Sequence, residues 1–340
     1  MNKVLVIAEA GPNHNQDWDL ATKLVDAAVD AGADVCKFQT YSSNTLFAKQ
    51  QKGISGIKDI HSMFKKLELP RRWQKDLKLY CDDKGIEFMS TPFDEQAVDE
   101  LVSLGVKRLK ISGFEGTDPR FVDMVASTGL DIIMSAGIGW DSNYWGMFAD
   151  IFEKWGNNVT LLHCVNAYPT PMDQINLQFL NKGEHLRGVS NIGLSDHTQS
   201  TLTPALAVAR GAKVIEKHFT LSNHLEGPDH YFSIEPHQLK EMVDLIRQAE
   251  LAMKISSNEE ELKHTNGRRS IVTKTPLKKG DILTKDNITT KRPYYLDSAP
   301  AIDYFGLLGH SIDNDIEADT IVNKKDISSF VQQDQSFQSL

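Results

Sequence analysis

A chain of 340 residues is longer than one ordinary domain, and a barrel of roughly 250 residues followed by a small second unit accounts for it. With 40% apolar and 24% charged residues it is neither disordered nor fibrous, and a net charge of −9 with no basic run excludes a nucleic-acid surface. Cys36, Cys81 and Cys164 form no CxxC pair, which excludes a disulfide framework and points to a reducing compartment.

The expected elements alternate in kind along the chain. "KVLVIAE" reads as a strand, followed by a helix with Leu20, Leu24, Ala27, Ala28 and Ala31 on one face. "DVCKFQT" is the second strand, and the helix "PRRWQKDLKLYCDDKG" leads to the third, "IEFMST". "DEQAVDELVSLG" leads to "RLKIS", and "DPRFVDMVASTG" leads to "DIIMSAG". A helix through the 140s and early 150s precedes "VTLLHCV". "VSNIGLS" and "AKVIEKHFT" are the seventh and eighth strands, and "EPHQLKEMVDLIRQAELAMK" closes the series as a long amphipathic helix. Eight β-then-α units predict a (β/α)8 (TIM) barrel. The weak points are a poorly marked sixth connection and Gly193 inside the seventh strand. The alternative, a doubly wound open sheet, usually carries a Gly-rich loop after its first strand, and "EAGPNHN" lacks one.

The barrel is expected over 1–255. A polar linker, "SSNEEELKHTNGRRS", marks 256–268, and a small β-rich domain is expected over 269–330. Within it "LKKGDILTKDNI" resembles "IEADTIVNKKDI", pairing Leu277 with Ile316, Ile282 with Ile321, Leu283 with Val322 and Ile288 with Ile327. Residues 331–340 read as a frayed polar tail. The N-terminus lacks a secretory apolar region, and no run approaches the ~18 apolar residues of a membrane span. A cytoplasmic protein with no membrane or nucleic-acid partner is expected.

Barrel chemistry sits at the C-terminal ends of the strands. There the sequence offers Glu9, Asn13 and His14; Lys37, Gln39 and Thr40; Ser90, Thr91 and Asp94; Lys110, Ser112 and Glu115; and Ser135. The later strands add His163, Asn166 and Tyr168; Ser195, Asp196 and His197; and Glu216, Lys217 and His218. Lys37 and Lys110, with the hydroxyls of Thr91, Ser112 and Ser135, suit a phosphate or carboxylate. His197 and His218 end adjacent strands ~4.8 Å apart and, with Glu9, suit a divalent metal that keeps open positions. Each has a bland rival. A barrel lysine can simply pair with a core glutamate, and a lone histidine after a strand is more often a hydrogen-bonded core residue than a ligand. His163 reads as packed, Cys36 and Cys164 as small buried residues, and His224, His230 and His264 as surface or loop residues. Lys217 should point to the opposite face of its strand and take no part in chemistry.

Those residues carry a resemblance. "IAEAGPNHNQDWDLATKLVDAAVDAGADVCKFQTY", "STPFD", "LLHCVNAYPTP", "GLSDHT", "VIEKHFTL" with "EGPDH", and "KRP" occur in order and resemble the sialic acid synthases, of the wider nonulosonic acid synthase family. The resemblance covers nearly the whole chain. It implies a TIM barrel followed by an antifreeze-like (SAF, β-clip) domain in a domain-swapped homodimer. It also implies condensation of phosphoenolpyruvate with an N-acetylated amino sugar, N-acetylmannosamine or a diacetamido-deoxy relative of the legionaminic or pseudaminic type. Mn2+ or Mg2+ would be required. By motif, His197 and His218 would hold the metal, and Lys37, Thr91, Lys110, Ser112, Ser135, Asn166 and Ser195 would contact phosphoenolpyruvate. Gln39, Glu115, Tyr168, Asp229 and, from the small domain, Arg292 would contact the sugar. Glu9 and Glu216 would lie near the reacting carbons. The sequence departs from the family pattern at "KISGFEG", "MSAGI" and "GPN", and in Tyr294 and Tyr295 after "KRP". Two other readings are a pyruvate lyase with a Schiff base on Lys37 or Lys110, which needs no metal, and a non-catalytic sugar-binding protein.

Overall fold

The computed structural model describes residues 3–48, 59–136, 138, 142–183 and 186–328. The expected frayed tail lies outside the described residues. The chain divides into two units, residues 1–254 and 255–340.

The first unit carries eight strands: β1 (Leu5–Gly11), β2 (Val35–Thr40), β3 (Glu87–Pro92), β4 (Arg108–Ile111), β5 (Asp131–Ser135), β6 (Val159–Cys164), β7 (Asn191–Asp196) and β8 (Val214–His218). All pair in parallel in the order β3-β2-β1-β8-β7-β6-β5-β4. The pairing of β1 with β8 wraps the sheet into a barrel, as the repeated units predict. The two ends, β3 and β4, lie side by side but form no ladder among the described residues.

The strands' period of two decides what fills the barrel. Ile7, Val35, Met89, Ile133, Leu162 and Val214 form one buried apolar layer inside it. Two residues further along those strands stand Glu9, Lys37, Thr91, Ser135, Cys164 and Glu216. The alternate positions face the helices and join the larger outer core of Val6, Ala8, Phe38, Leu109, Met134, Leu161, Leu194 and Ile215. Gly193 fits this layering rather than weakening it. A Cβ there would lie 2.3 Å from the Val214 carbonyl oxygen and 2.5 Å from Leu162 Cδ2, so only glycine lets β8 and Leu162 close over the position.

Helices begin where acidic side chains satisfy free amides: Asp17 before Trp18–Ala31, Asp94 before Glu95–Ser103 and Asp118 before Pro119–Ala126. In the first of these, Ala21 takes the core place expected for Leu20, which is only half-buried. The expected helix of the 140s is Ser142–Trp155. Among the described residues the sixth connection carries short turns, Met172–Gln174, Leu177–Phe179 and Leu180–Gly183. Between β7 and β8 the helix Leu202–Ala209 appears, its apolar composition carrying little periodic signal. Among the described residues no helix is long and apolar enough to cross a membrane.

In the second unit the expected linker is largely exposed, with two helical turns at Glu259–Leu262 and Thr265–Gly267. Beyond it β9 (Ser270–Thr273) pairs antiparallel with β10 (Ile288–Lys291) over a core that includes Ile271, Leu283, Ile288, Val322 and Ile327. The two repeat copies meet at one of their four matched pairs, while Ile282 bridges Ser311 and Ile321 bridges Val272 instead. Leu277 N donates to the Ile316 carbonyl at 2.8 Å, and Ile316 N donates to the Leu277 carbonyl at 2.9 Å.

Candidate active site

All eight strand ends contribute to one cavity at the C-terminal mouth of the barrel. Glu9 sits opposite Lys37 in the β1–β2 ladder and opposite His218 in the β1–β8 ladder. Lys37 Nζ lies 2.6 Å from Glu9 Oε2 and 3.6 Å from Glu216 Oε2, and donates to Thr91 Oγ1 at 3.0 Å. Lys37 therefore does pair with a core carboxylate, as the bland reading has it, while remaining on the cavity wall. Lys110 Nζ donates to Ser135 Oγ at 2.8 Å and to the Ile111 carbonyl at 3.0 Å, with Glu216 Oε1 at 3.9 Å. Ser195 Oγ donates to Glu216 Oε1 at 3.3 Å, and Gln39 Nε2 to Glu9 Oε1 at 2.9 Å.

Two lysines and two glutamates, all buried, thus share one small volume. Burial pushes the Glu216 carboxyl up, but Lys110 and Lys37 outweigh it and hold the group at about 2. Burial lowers Lys110. It opposes the charge on Lys37 as well, but Glu216 and Glu9 raise that ammonium overall. Burial raises Glu9 despite Lys37. Glu216 and Glu9 thus hold Lys37 as a cation, while Lys110 is the lysine that burial makes easier to neutralise.

His197 and His218 stand with ring centres 5.4 Å apart. His197 Nδ1 donates to the Val165 carbonyl at 2.8 Å, which leaves Nε2 with its lone pair, and burial and the charge of His218 lower its pKa to about 3. His218 Nδ1 is buried without an aligned hydrogen bond, 3.4 Å from Asp229 Oδ2. His197 is thus a neutral imidazole, and burial opposes the charge on His218 but Asp229 raises it overall, so His218 must give up its proton for the pair to suit a divalent cation. Among the described residues no group of three or more His, Cys, Asp or Glu side chains is arranged to hold a metal. The Tyr168 ring packs 4.2 Å from His197 and Phe232 packs 5.2 Å from His218, centre to centre, and the two aromatics back the pair.

Of the expected site residues, Glu9, Lys37, Gln39, Thr91, Lys110, Ser112, Ser135, Asn166, Tyr168, Ser195, His197, Glu216 and His218 all line the cavity. Asp229 stands just behind His218. Glu115 turns back to bond Ser112 Oγ and is absent from the wall, so the "KISGFEG" loop is braced within itself. Arg292 is exposed on the second unit.

Several mouth candidates face elsewhere. Asn13 bonds the Phe219 carbonyl at 2.8 Å, and Thr40 bonds Ser90 at 2.7 Å. Asp94 caps a helix and pairs with Arg71, while His14 packs beside Phe38 and Trp73. Asp196 pairs with Lys217 outside the barrel, so Lys217 points outward as alternation requires. His163 stacks on Phe179, and His224 and His264 are exposed, as read. His230 is not a surface residue: it is buried against Thr220, its Nδ1 2.6 Å from Oγ1. Cys164 is not simply buried. It lines the cavity, and the alternation that turns Leu162 inward could have shown this. Phe93, Gly113 and Phe114 also line it, from loops that carry no periodic signal.

Comparison with known proteins agrees with this geometry. A NeuB family model matches residues 24–258, and a SAF domain model matches residues 268–328. The N,N'-diacetyllegionaminic acid synthase of Campylobacter jejuni is 37% identical over 338 residues, spanning 95% of this chain and 100% of its own length. A pseudaminic acid synthase from another strain of that species is 32% identical over 334 residues, spanning 95% and 96%. The crystal structure of the N-acetylneuraminic acid synthetase of Leptospira borgpetersenii superposes with a TM-score of 0.71 at 32% identity, over 78% of this chain and 92% of that one. A barrel with this mouth, matched over residues 24–258 and followed by a SAF domain, places the chain in the NeuB family of nonulosonic acid synthases.

Proposed function

We propose that the protein condenses phosphoenolpyruvate with an N-acetylated amino sugar, consuming water and releasing phosphate, to make a nine-carbon 2-keto sugar acid. The observation that carries this is the pair Lys37 and Lys110, each bonded to a hydroxyl and both beside Glu216, in the same cavity as two imidazoles. The lysines, with Thr91, Ser135, Asn166 and Ser195, would hold the phosphate and carboxylate of phosphoenolpyruvate, which this acidic chain otherwise repels. Held there, the enol carbon attacks the aldehyde carbon of the open-chain sugar. A carbon–carbon bond forms, the former aldehyde oxygen takes a proton, and cationic character is left at C2. Glu216 and Glu9 would stabilise that centre, and Glu9, fixed by Gln39 and Lys37, would take a proton from the water that adds to it. Cleavage of the C2–O bond then releases phosphate and leaves the ketone. His197 and His218 would hold a divalent cation, Mn2+ or Mg2+, whose chemistry when bound is Lewis acidity toward a carbonyl oxygen.

The acceptor is N-acetylmannosamine or a diacetamido-deoxy sugar, and the name of the 37%-identical Campylobacter relative favours the second. The reading includes a homodimer in which the partner subunit's Arg292 reaches the acceptor. Phosphate release from phosphoenolpyruvate and Mn2+ across a panel of such sugars is the test. Release with at least one is expected, and release with none overturns the reading. The buried, depressed Lys110 favours one rival, a Schiff-base lyase. Borohydride trapping of a pyruvate adduct would establish it.

A further inference from the structure

Lys217 stands in sequence between Glu216 and His218, on the opposite face of β8. Its side chain is 1% exposed and that of its partner, Asp196, is 0% exposed, with Nζ and Oδ2 2.7 Å apart. The same ammonium donates to the carbonyls of Thr198 and, at 3.1 Å, Ser200, and to Thr198 Oγ1 at 3.3 Å. Asp196 in turn accepts from Thr198 N at 2.8 Å and from Thr198 Oγ1 at 3.2 Å, and Ser200 N donates to Thr198 Oγ1 at 3.2 Å. One side chain of β8 therefore fastens residues 196, 198 and 200 of the turn that carries His197.

The strand ladders show why such a fastening matters. His218 lies within the β1–β8 ladder, opposite Glu9, so its backbone is fixed by strand pairing. The β7–β8 ladder ends at the pair Asp196 and Lys217. His197 is the next residue, beyond the last paired position. Besides the Lys217 network it is held by its own ring bond to the Val165 carbonyl and by its carbonyl, which accepts from Thr170 N at 2.9 Å.

We propose that Lys217 is a positioning residue that sets the separation of the two imidazoles and with it the cation affinity of the site. This inference rests on the reading of His197 and His218 as the cation's ligands. Lys217 touches neither substrate nor cation; it acts through His197.

Removing one charge alone would strand the other in the core, so the test removes both. The full chain carrying Lys217→Met with Asp196→Asn keeps an acceptor for Thr198 N. Mn2+ binding to this variant, to the wild type and to His218→Ala is measured by calorimetry, alongside phosphoenolpyruvate binding in metal-free buffer. The double variant should bind Mn2+ about 10–100-fold more weakly, the usual effect of losing support behind a ligand. It should bind phosphoenolpyruvate as the wild type does. Wild-type Mn2+ affinity in the folded double variant overturns the proposal. So does an equal loss of phosphoenolpyruvate affinity, which marks a general defect. If the double variant does not fold, Thr198→Val replaces it, because it keeps the ion pair and removes only the hydroxyl of the turn. A smaller fall in Mn2+ affinity is then expected, and no change overturns the proposal. A wild type that binds no Mn2+, or a His218→Ala variant that binds it unchanged, overturns the ligand reading itself and this inference with it.

Discussion

The two faces of the β7–β8 pair bury charge in opposite ways. Outward, the Lys217 ammonium has four oxygen acceptors within bonding reach, and both oxygens of Asp196 accept hydrogen bonds. Inward, on side chains that line a cavity, Glu216 Oε2 meets Lys37 only at 3.6 Å and His218 Nδ1 meets Asp229 only at 3.4 Å, neither as an aligned hydrogen bond. Burial of a charge shows only that the fold tolerates it. Bonding capacity left open toward a cavity is what marks chemistry.

Mutations on either side can break or sharpen that contrast. The largest effect on turnover should come from inside. His218→Ala is expected to abolish metal-dependent phosphate release while the thermal midpoint stays near that of the wild type. Full activity in that variant would remove the imidazole from the mechanism. The largest effect on stability should come from outside. Asp196→Ala leaves Lys217 buried without its counter-charge and should cost about 3–5 kcal/mol in urea unfolding. Lys110→Met should raise the KM for phosphoenolpyruvate about 10–100-fold, matching roughly 1.5–3 kcal/mol for a charged hydrogen bond. KM for the sugar should move less. The wall between the faces is tested by Gly193→Ala, which should overpack against Val214 and Leu162 and cost about 1–3 kcal/mol. Here the unfolding midpoint should fall before KM changes.

Much of this was legible in the sequence, because the strands obey a simple rule. A residue two places beyond an interior apolar side chain also points inward, which puts Glu9, Lys37, Thr91, Ser135 and Glu216 at the mouth. The same rule assigns Lys217 to the outside. It stops working where strands end. Asn13, His14 and Asp94 lie past their strands' inward positions or in turns, and local geometry sends them to backbone, aromatic or helix-cap partners. Phe114 and Gly113 reach the cavity for the converse reason, through a loop shaped by the bond between Ser112 and Glu115. The helix Leu202–Ala209 gave no clear signal because it is apolar on nearly every side, and a uniform pattern has no period to detect.

The unpaired seam between β3 and β4 has a mechanical meaning. At its base a side-chain pair stands in for the missing ladder, with Arg108 Nε 2.9 Å from Glu87 Oε1. At its top nothing comparable crosses within the protein among the described residues. Instead Lys37 and Thr91 approach from the β2–β3 side, and Lys110 and Ser135 from the β4–β5 side. An anion gripped from both sides would act as the absent rung.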